Sequence, residues 1–153
     1  MTVSATLTGM RPIRISRLDP SVALPQYQTP GAAGFDLAAS ADVIVAPGTI
    51  ALIPTGLVIQ VPSGHFLGIF ARSSTPLKKG LMVANGVGVV DEDYCGPADE
   101  VKIQVLNFTA EPVQVRRGDR IAQGLIIAVA RAEWQEESGD LRPGSRGGFG
   151  ATG

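Results

Sequence analysis

The stretch that decides the fold class reads Val101-Lys102-Ile103-Gln104-Val105. Apolar and polar side chains alternate in it with a period of two, which is typical of a β-strand with one face in a protein core. Turn signals rich in proline and glycine separate it from other short runs of the same kind. These runs cover residues 13–15, 43–45, 49–53, 57–61, 66–70, 113–115 and 121–129. The pattern predicts an all-β protein: a sandwich, a jelly roll or a barrel.

The composition of the chain excludes several classes of partner. Its 153 residues suit one domain, and a net charge of -1 gives no basic excess for nucleic-acid binding. The longest apolar run, residues 125–130, is shorter than the ~18 residues of a membrane span, and the N-terminus does not resemble a signal peptide. Cys95 and His65 are the only residues of their kinds, which excludes an internal disulfide and disfavours a Ser-His-Asp triad. We therefore expect a cytoplasmic protein without a nucleic-acid or membrane partner.

The last seven residues, Gly147 to Gly153, contain four glycines, one phenylalanine and one threonine. Glycine backbone approaches phosphates closely, so this segment predicts a phosphate-binding arm; the alternative is a solvated tail. The polar segment before it has the composition of a flexible tether. We therefore divide the chain into a β body at residues 1–132, with a loose start at 1–10, and a tether and arm at 133–153. Such an arm reaches either its own body or a neighbouring subunit.

Two elements in the first half of the chain carry candidate site residues. Asp36 follows Gly34 at the head of a strand, where a carboxylate can face cations or simply belong to a turn. Arg72, Ser73 and Ser74 follow the strand at 66–70. A guanidinium and hydroxyls at a strand-to-helix junction indicate a phosphate site, whereas Ser74 alone is also a common cap for a short helix over 73–79.

Two more elements lie in the second half. Residues 85–90 predict a hairpin around Val87 whose backbone can approach a planar ligand, and Asn85 can read the edge of a base. The acidic run that begins at Asp91 predicts either a general base with its water or a solvated acidic turn. Gln123 lies two residues after Ile121, on the face predicted to be buried, and needs a ligand or a backbone partner there.

In order along the chain, these elements resemble the five motifs of the trimeric dUTP pyrophosphatases (dUTPases). The resemblance covers residues 13–153 and implies a β jelly roll, a homotrimer with each site shared between three subunits, and Mg²⁺-assisted hydrolysis of dUTP to dUMP and pyrophosphate. The five matching segments are Ala33 to Leu37, Arg72 to Ser74, Gly88 to Gly96, Gly118 to Gln123, and Gly147 to Gly153.

The resemblance also implies a role for each matching residue. Asp91 matches the general base that activates water for attack on the α-phosphorus. Tyr94 matches the residue that packs under the deoxyribose and disfavours a 2′-hydroxyl. Asn85 matches the residue that, with the hairpin backbone, reads uracil. The remaining substrate-binding positions are Arg72, Ser73, Ser74 and Gln123 at the phosphates, Gly88 and Val90 in the hairpin, and Arg146, Phe149, Gly150, Ala151 and Thr152 in the arm.

Within the family, Mg²⁺ is held mainly by the triphosphate and water, so the resemblance implies no direct protein ligand, and Asp36 acts at most indirectly. The chain departs from the family pattern in three places. Arg146 stands immediately before the paired glycines instead of two residues earlier, and we expect it to reach the γ-phosphate. Pro97-Ala98-Asp99 lengthens the loop after the third motif, and Cys95 replaces a frequent Arg or Gln.

Two alternatives stay open from the sequence. The first is a dCTP deaminase of the same fold, alone or combined with dUTPase activity, for which Glu100 is the nearby candidate base. The second is a trimeric nucleotide-binding module with a regulatory role and no catalysis.

Overall fold

The computed structural model describes residues 11–150, and in that range strands dominate. This confirms the all-β prediction. One short helix, Thr75–Lys79, interrupts the strands. The strands are β1 (Arg14–Arg17), β2 (Phe35–Ala38), β3 (Val43–Val45), β4 (Ile50–Pro54), β5 (Leu57–Gln60), β6 (His65–Ala71), β7 (Leu81–Val83), β8 (Gly88–Val90), β9 (Lys102–Asn107), β10 (Val113–Val115) and β11 (Arg120–Ala128).

The strands form four antiparallel sheets in the orders β2-β11-β6-β8, β4-β9-β7, β1-β5 and β10-β3. Alternation along the strands places one face of each sheet in a common core, as in β9, where Ile103 and Val105 are fully buried and Lys102 is exposed. Leu37, Ile53, Leu67, Leu81 and Ile121 are also fully buried in this core. The core therefore joins strands from the whole length of the body.

β11 is the nine-residue centre of the largest sheet, and it pairs with β2 on one side and β6 on the other. Its pairing with β2 shifts register at Ile121, so that Arg120 faces Ala38 and Ala122 faces Leu37. A bulge of this kind bends a strand and turns a side chain toward a new direction. The arrangement brings the first, second and fourth sequence motifs onto adjacent strand ends.

The predicted helix at 73–79 is a single π-helical turn that begins at Thr75, with a proline in its first turn. It ends at Gly80, which has φ +67° and donates its N–H to the Pro76 carbonyl at 3.2 Å. Ser74 makes no side-chain capping bond, so the capping alternative is not what the structure has. The Thr75 hydroxyl instead donates to the Ile121 carbonyl at 2.9 Å, which fixes the start of the helix against β11.

The predicted hairpin at 85–90 is wrong in one respect. The chain does turn back there, since Gly86 has φ +74° and donates its N–H to the Val83 carbonyl at 3.1 Å. The flanking strands do not pair with each other, because β7 pairs with β9 and β8 pairs with β6. The segment is therefore a turn between two sheets.

After β11, Val129 donates its N–H to the Gly64 carbonyl at 2.9 Å, and residues 130–150 are exposed and contain neither helix nor strand. The division into a body and an arm stays a prediction, and the loose start at 1–10 lies outside the described residues. Within residues 11–150, no helix has the length and hydropathy of a membrane span.

Candidate functional site

Asp36 on β2 is the centre of a cluster of charged groups. Its Oδ1 accepts the Arg72 Nε–H at 2.8 Å, and its Oδ2 accepts an Arg120 Nη1–H at 3.1 Å. Arg72 also donates from Nη1 to the Arg120 carbonyl at 3.2 Å. The Asp36 side chain is only 12% exposed, so water has little access to the carboxylate and competes weakly with these charge-assisted hydrogen bonds. Asp36 and Arg120, which are 84 positions apart in the sequence, are thus in direct contact.

Gln123 lies beside this cluster because β11 pairs it with Asp36 on one side and Phe70 on the other. Its side chain is half-buried and donates from Nε2 to the Ala71 carbonyl at 3.0 Å. Of the two partners predicted for Gln123, a ligand or the backbone, the structure has the backbone. Gly34 leaves room for it, since a Cβ at that position would come within 2.9 Å of Gln123 Oε1. Ser73 and Ser74 follow Arg72 directly, one exposed and the other half-buried.

An ion pair joins the end of the short helix to the turn before β11. Lys79 Nζ lies 3.0 Å from Asp119 Oδ2, which also accepts the Arg116 backbone N–H at 3.0 Å. The Arg116 N–H and the Lys79 ammonium hold the pKa of the Asp119 carboxyl below its usual value, against a smaller opposing effect of burial. The pair fixes the turn from which Arg120 emerges.

The acidic run follows β8 and is exposed to solvent at Asp91, Glu92 and Asp93. Glu92 accepts the Gly64 N–H at 2.8 Å, which ties the loop to the turn before β6. Tyr94 donates its N–H to the Asp91 carbonyl at 3.2 Å and its hydroxyl to the Glu100 carbonyl at 3.2 Å. Tyr94 is therefore held by hydrogen bonds from both its backbone N–H and its hydroxyl, whereas Asp91 is exposed to solvent.

Glu100 and Cys95 border this loop. Glu100 Oε1 accepts the Gly56 N–H at 2.8 Å, and its other oxygen lies 3.9 Å from Lys102 Nζ. Cys95 is half-buried, with its Sγ 3.8 Å from the Glu92 carbonyl oxygen. The glutamate carboxylate is thus already bound to a backbone amide of the body.

Within one chain the candidate residues fall into two separate groups. Pairing of β8 with β6 sets Val90 opposite Leu67 and Gly88 opposite Ile69. Asp91 therefore lies beyond the Leu67 end of β6, while Arg72 follows its other end, about six residues or ~20 Å away at the rise of a strand. Gly88 and Val90 are buried on β8, and Asn85 is exposed on the turn nearer the Arg72 end.

The arm residues stand apart from both groups. Arg146 and Phe149 are exposed, and Phe149 has φ +50°, an unusual backbone conformation for a side chain of its size. Gly147 donates its N–H to the Ser145 hydroxyl at 3.2 Å, and Gly150 is exposed. Between residues 131 and 150 the hydrogen bonds of the described chain stay within the segment. Ala151 and Thr152 lie outside the described residues.

Comparison with known proteins decides the family. The dUTPase family model matches residues 21–153. The chain belongs to the dUTPase family. A dUTPase relative from Desulfitobacterium hafniense, a deoxyuridine 5′-triphosphate nucleotidohydrolase, is 47% identical over 141 residues, covering 90% of this chain and 91% of the relative. An enzyme of the same name from Thermobifida fusca is 43% identical over 159 residues, covering 98% of this chain and 87% of the relative.

Solved dUTPase structures confirm the jelly-roll fold. The crystal structure of dUTPase from Streptococcus mutans superposes with a TM-score of 0.73 at 33% identity, over 81% of this chain and all of that chain. A mutant dUTPase from phage phi11 of S. aureus, described with a structural Mg(II) ion, superposes with a TM-score of 0.74 over 84% of this chain and 98% of that chain. At 19% identity this second likeness concerns the fold alone. Between residues 11 and 150 no three His, Cys, Asp or Glu side chains are grouped to hold a metal.

Sequence reasoning missed Arg120 and Lys79, both of which contact residues of the dUTPase motifs. Arg120 belongs to the fourth motif, but nothing in its position indicated that it pairs with a carboxylate on β2. Lys79 stands in the last turn of the short helix, where a basic residue is common for electrostatic reasons alone. The partners of Arg120 and Lys79 depend on how the strands pair, and the hydrophobic pattern of the sequence does not predict that register.

Proposed function

We propose that the protein hydrolyses dUTP to dUMP and pyrophosphate by Mg²⁺-assisted attack of water on the α-phosphate, which supplies dUMP for thymidylate synthesis and keeps uracil out of DNA. The observation that carries the proposal is the Asp36-centred cluster, in which the first, second and fourth motifs of a dUTPase family member meet. Such a cluster presents a rigid, oriented guanidinium at the edge of the sheet.

Phosphate binding is the role that this end of the site supports. Arg72 is held through Nε by Asp36, so its planar group is oriented before substrate arrives. Ser73 and Ser74 offer hydroxyls next to it, and Gln123 offers an amide after exchanging its bond to the Ala71 carbonyl. Arg72 offsets part of the negative charge of the triphosphate, and the three neutral side chains orient it through hydrogen bonds.

The reaction itself falls to Asp91. Its exposed carboxylate takes a proton from water, the water oxygen bonds to the α-phosphorus, and the bond from that phosphorus to the bridging oxygen of the β-phosphate breaks. Pyrophosphate leaves with the electron pair of that bond. Positioning of water and phosphate contributes more than the proton transfer alone.

Mg²⁺ would be held mainly by the substrate and by water, not by side chains of the protein. Both oxygens of Asp36 are engaged by guanidinium groups, so this carboxylate is a poor direct ligand. A hard cation such as Mg²⁺ is well served by phosphate oxygens and water, and the substrate is therefore the Mg²⁺ complex of dUTP. When bound, the ion would offset negative charge on the phosphates, and Asp36 would act on it at most indirectly.

Base and sugar are recognised by the turn before β8, by β8 itself and by the loop that follows it. Asn85, on the turn before β8, pairs with the edge of uracil, and backbone groups of Gly88 and Val90 on β8 complete a recess too narrow for a 5-methyl group. Tyr94 packs under the deoxyribose. The arm then closes, with Phe149 over the uracil and with Arg146, Gly150, Ala151 and Thr152 toward the γ-phosphate, which excludes bulk water.

A homotrimer with shared sites accounts for the separation inside one chain. Asp91 and Arg72 lie ~20 Å apart along β6, too far to act on one α-phosphate from the same chain. The outer face of the β4-β9-β7 sheet offers a surface for assembly: Ile50 and Leu52 are more than half exposed, and Met82 and Ile50 both flank Leu106. A second and third copy would cover such a face and bring Arg72 of one chain to Asp91 of another.

Mixing two inactive variants tests the shared site. Chains with Arg72→Ala and chains with Asp91→Asn, unfolded and refolded together in equal amounts, should recover about a quarter of wild-type activity, because random assembly into symmetric oligomers pairs intact partners at that frequency. Each variant refolded alone should stay inactive. Absence of recovery in correctly assembled mixtures would refute the shared site.

The activity is tested by pyrophosphate release from dUTP with Mg²⁺, alongside dCTP, dTTP and UTP. Rapid release from dUTP alone is expected. Asp91→Asn should abolish release while leaving dUTP affinity, measured by calorimetry, nearly unchanged; an equal loss of binding would contradict the general-base role. Binding of dUTP without hydrolysis by the wild-type chain would favour the regulatory module. Ammonia release from dCTP would favour the deaminase, but Glu100, its candidate base, is bound to the Gly56 N–H.

A further inference from the structure

The loop that carries Tyr94 is closed by a reciprocal pair of bonds at its lengthened part, Pro97-Ala98-Asp99. Gly96 donates its N–H to Asp99 Oδ2 at 2.7 Å, and Asp99 donates its N–H to the Gly96 carbonyl at 3.1 Å. The first bond ends on a carboxylate and is short, as expected for a charge-assisted bond. A Cβ on Gly96 would come within 2.9 Å of Asp99 Oδ2, so this glycine leaves room for the pair.

The segment after this clamp, the Gly96–Asp99 bond pair, is anchored to the body. Glu100 accepts the Gly56 N–H at 2.8 Å, and Val101 donates its N–H to the Leu57 carbonyl at 2.8 Å. The Glu100 carbonyl, which accepts the Tyr94 hydroxyl at 3.2 Å, is therefore a fixed point. Residues 95–99 connect Tyr94 to the Glu100 carbonyl, so the distance between the two depends on whether the Gly96–Asp99 clamp keeps this turn closed.

We infer that Asp99 is a positioning residue for Tyr94 and thereby sets how strongly the enzyme prefers a deoxyribose to a ribose. This inference rests on the proposed function, in which Tyr94 lies under the sugar. With the clamp closed, the ring stands at one distance from the sugar and leaves no space for a 2′-hydroxyl. With the clamp open, Gly96 regains its backbone freedom and the ring can retreat.

The test compares kcat/KM for dUTP with kcat/KM for UTP in Asp99→Ala and Asp99→Asn. The alanine variant should lose about tenfold in the dUTP-to-UTP ratio, the factor that one charge-assisted hydrogen bond supplies. Asp99→Asn keeps an oxygen acceptor for the Gly96 N–H and should keep most of the preference. Glu111→Ala is the matched control, because it removes the same charge from an exposed side chain without touching the loop.

A double-mutant cycle separates positioning from general destabilisation. Tyr94→Phe removes only the hydroxyl that meets the Glu100 carbonyl, and it should relax the preference in the same direction. Asp99→Ala combined with Tyr94→Phe should then do little more than either change alone, since both act on one ring. Independent, multiplicative effects would overturn the inference, and so would an unchanged dUTP-to-UTP ratio in Asp99→Ala.

Amide hydrogen exchange supplies a readout that needs no activity. The Gly96 amide should exchange at least severalfold faster in Asp99→Ala than in the wild type and near the wild-type rate in Asp99→Asn. Unchanged exchange in Asp99→Ala overturns the clamp whatever the activity. A wild-type chain that releases no pyrophosphate from dUTP would refute the proposed function, whereas an active chain whose preference ignores Asp99 would refute this inference alone.

Discussion

Replacing Asp36 by asparagine isolates the contribution of the cluster that orients Arg72. Both carboxylate oxygens accept guanidinium N–H groups, at 2.8 Å from Arg72 and 3.1 Å from Arg120. The asparagine amide keeps one oxygen and turns an NH₂ group toward the second guanidinium. In either orientation of the asparagine amide, one of the two hydrogen bonds to the guanidinium groups is lost. The positive charges of Arg72 and Arg120 then lie beside a neutral side chain.

The expected size of the effect follows from burial. A hydrogen bond to a charged group contributes about 1.5–3 kcal/mol, and Asp36 is sufficiently buried for that range to apply. The bond to Arg120 counts for less because that side chain is 48% exposed. We therefore expect unfolding to cost about 1–2 kcal/mol less, or ~3–6 °C in Tm for a chain of this size. Misorientation of Arg72 should lower kcat/KM for dUTP by about 30-fold, equivalent to about 2 kcal/mol.

The assay is steady-state pyrophosphate release, with Tm measured at one fixed protein concentration. Asp42→Asn is the control: Asp42 Oδ1 accepts the Arg117 backbone N–H at 2.7 Å, so the change removes the same charge from a neighbouring loop without touching Arg72. A kcat/KM for Asp36→Asn within twofold of that for Asp42→Asn would refute the argument that Asp36 orients the phosphate-binding guanidinium, even if Tm falls as expected.

Three further changes probe other parts of the molecule. Asp119→Asn should lower Tm at pH 7, and the difference in Tm from wild type should shrink below about pH 4. The Arg116 N–H lowers the pKa of the Asp119 carboxyl, so the carboxylate stabilises the fold at every pH above the usual pKa of the group. This stabilisation is lost as the pH falls through the lowered pKa. Gly34→Ala should reduce kcat/KM about tenfold, because the added Cβ would come within 2.9 Å of both Gln123 Oε1 and Leu125 Cδ1 and displace the Gln123 side chain; steady-state kinetics will measure the loss. Deletion of all residues after Arg142 should abolish most of the activity while shifting Tm by less than about 2 °C, because residues 143–150 are exposed.

Each of these predictions has its own control. For Asp119, a Tm difference that stays constant from pH 7 to pH 2 would contradict the stated cause. For Gly34, the matched change is Gly31→Ala, where a Cβ would meet nothing within 4 Å and activity should stay at the wild-type level. For the deletion, early melting of the shortened chain would show that the segment stabilises the fold, against the arm hypothesis.

Period-two alternation was sufficient to find most strands, including β9, β10 and β11, because each buries one face in the common core. It missed β7, since all three residues of that strand are apolar and show no alternation, and it mistook the turn before β8 for a hairpin. The sequence singled out Arg72 and Gln123 only as members of separate motifs, and it is the pairing of β11 with β6 that brings them to the same strand end.

The partners of these side chains could not be read from the sequence. Asp36 meets Arg120 because β2 pairs with β11 around a bulge, and a bulge changes register without leaving a mark in hydrophobic periodicity. The ~20 Å between Arg72 and Asp91 likewise follows from how β8 pairs with β6. The roles of these residues in catalysis stay predictions that the variants above will test.

The central place of β11 has a consequence during protein synthesis. β2 and β6 leave the ribosome well before β11, which they share as a partner, and Asp36 precedes Arg120 by 84 residues. A nascent chain therefore carries two unpaired strand edges from the synthesis of Ala71 until that of Arg120, and such edges are prone to aggregation. Substitutions that slow β11 insertion should reduce the yield of native protein in cells more than they reduce the melting temperature of the molecules that do fold.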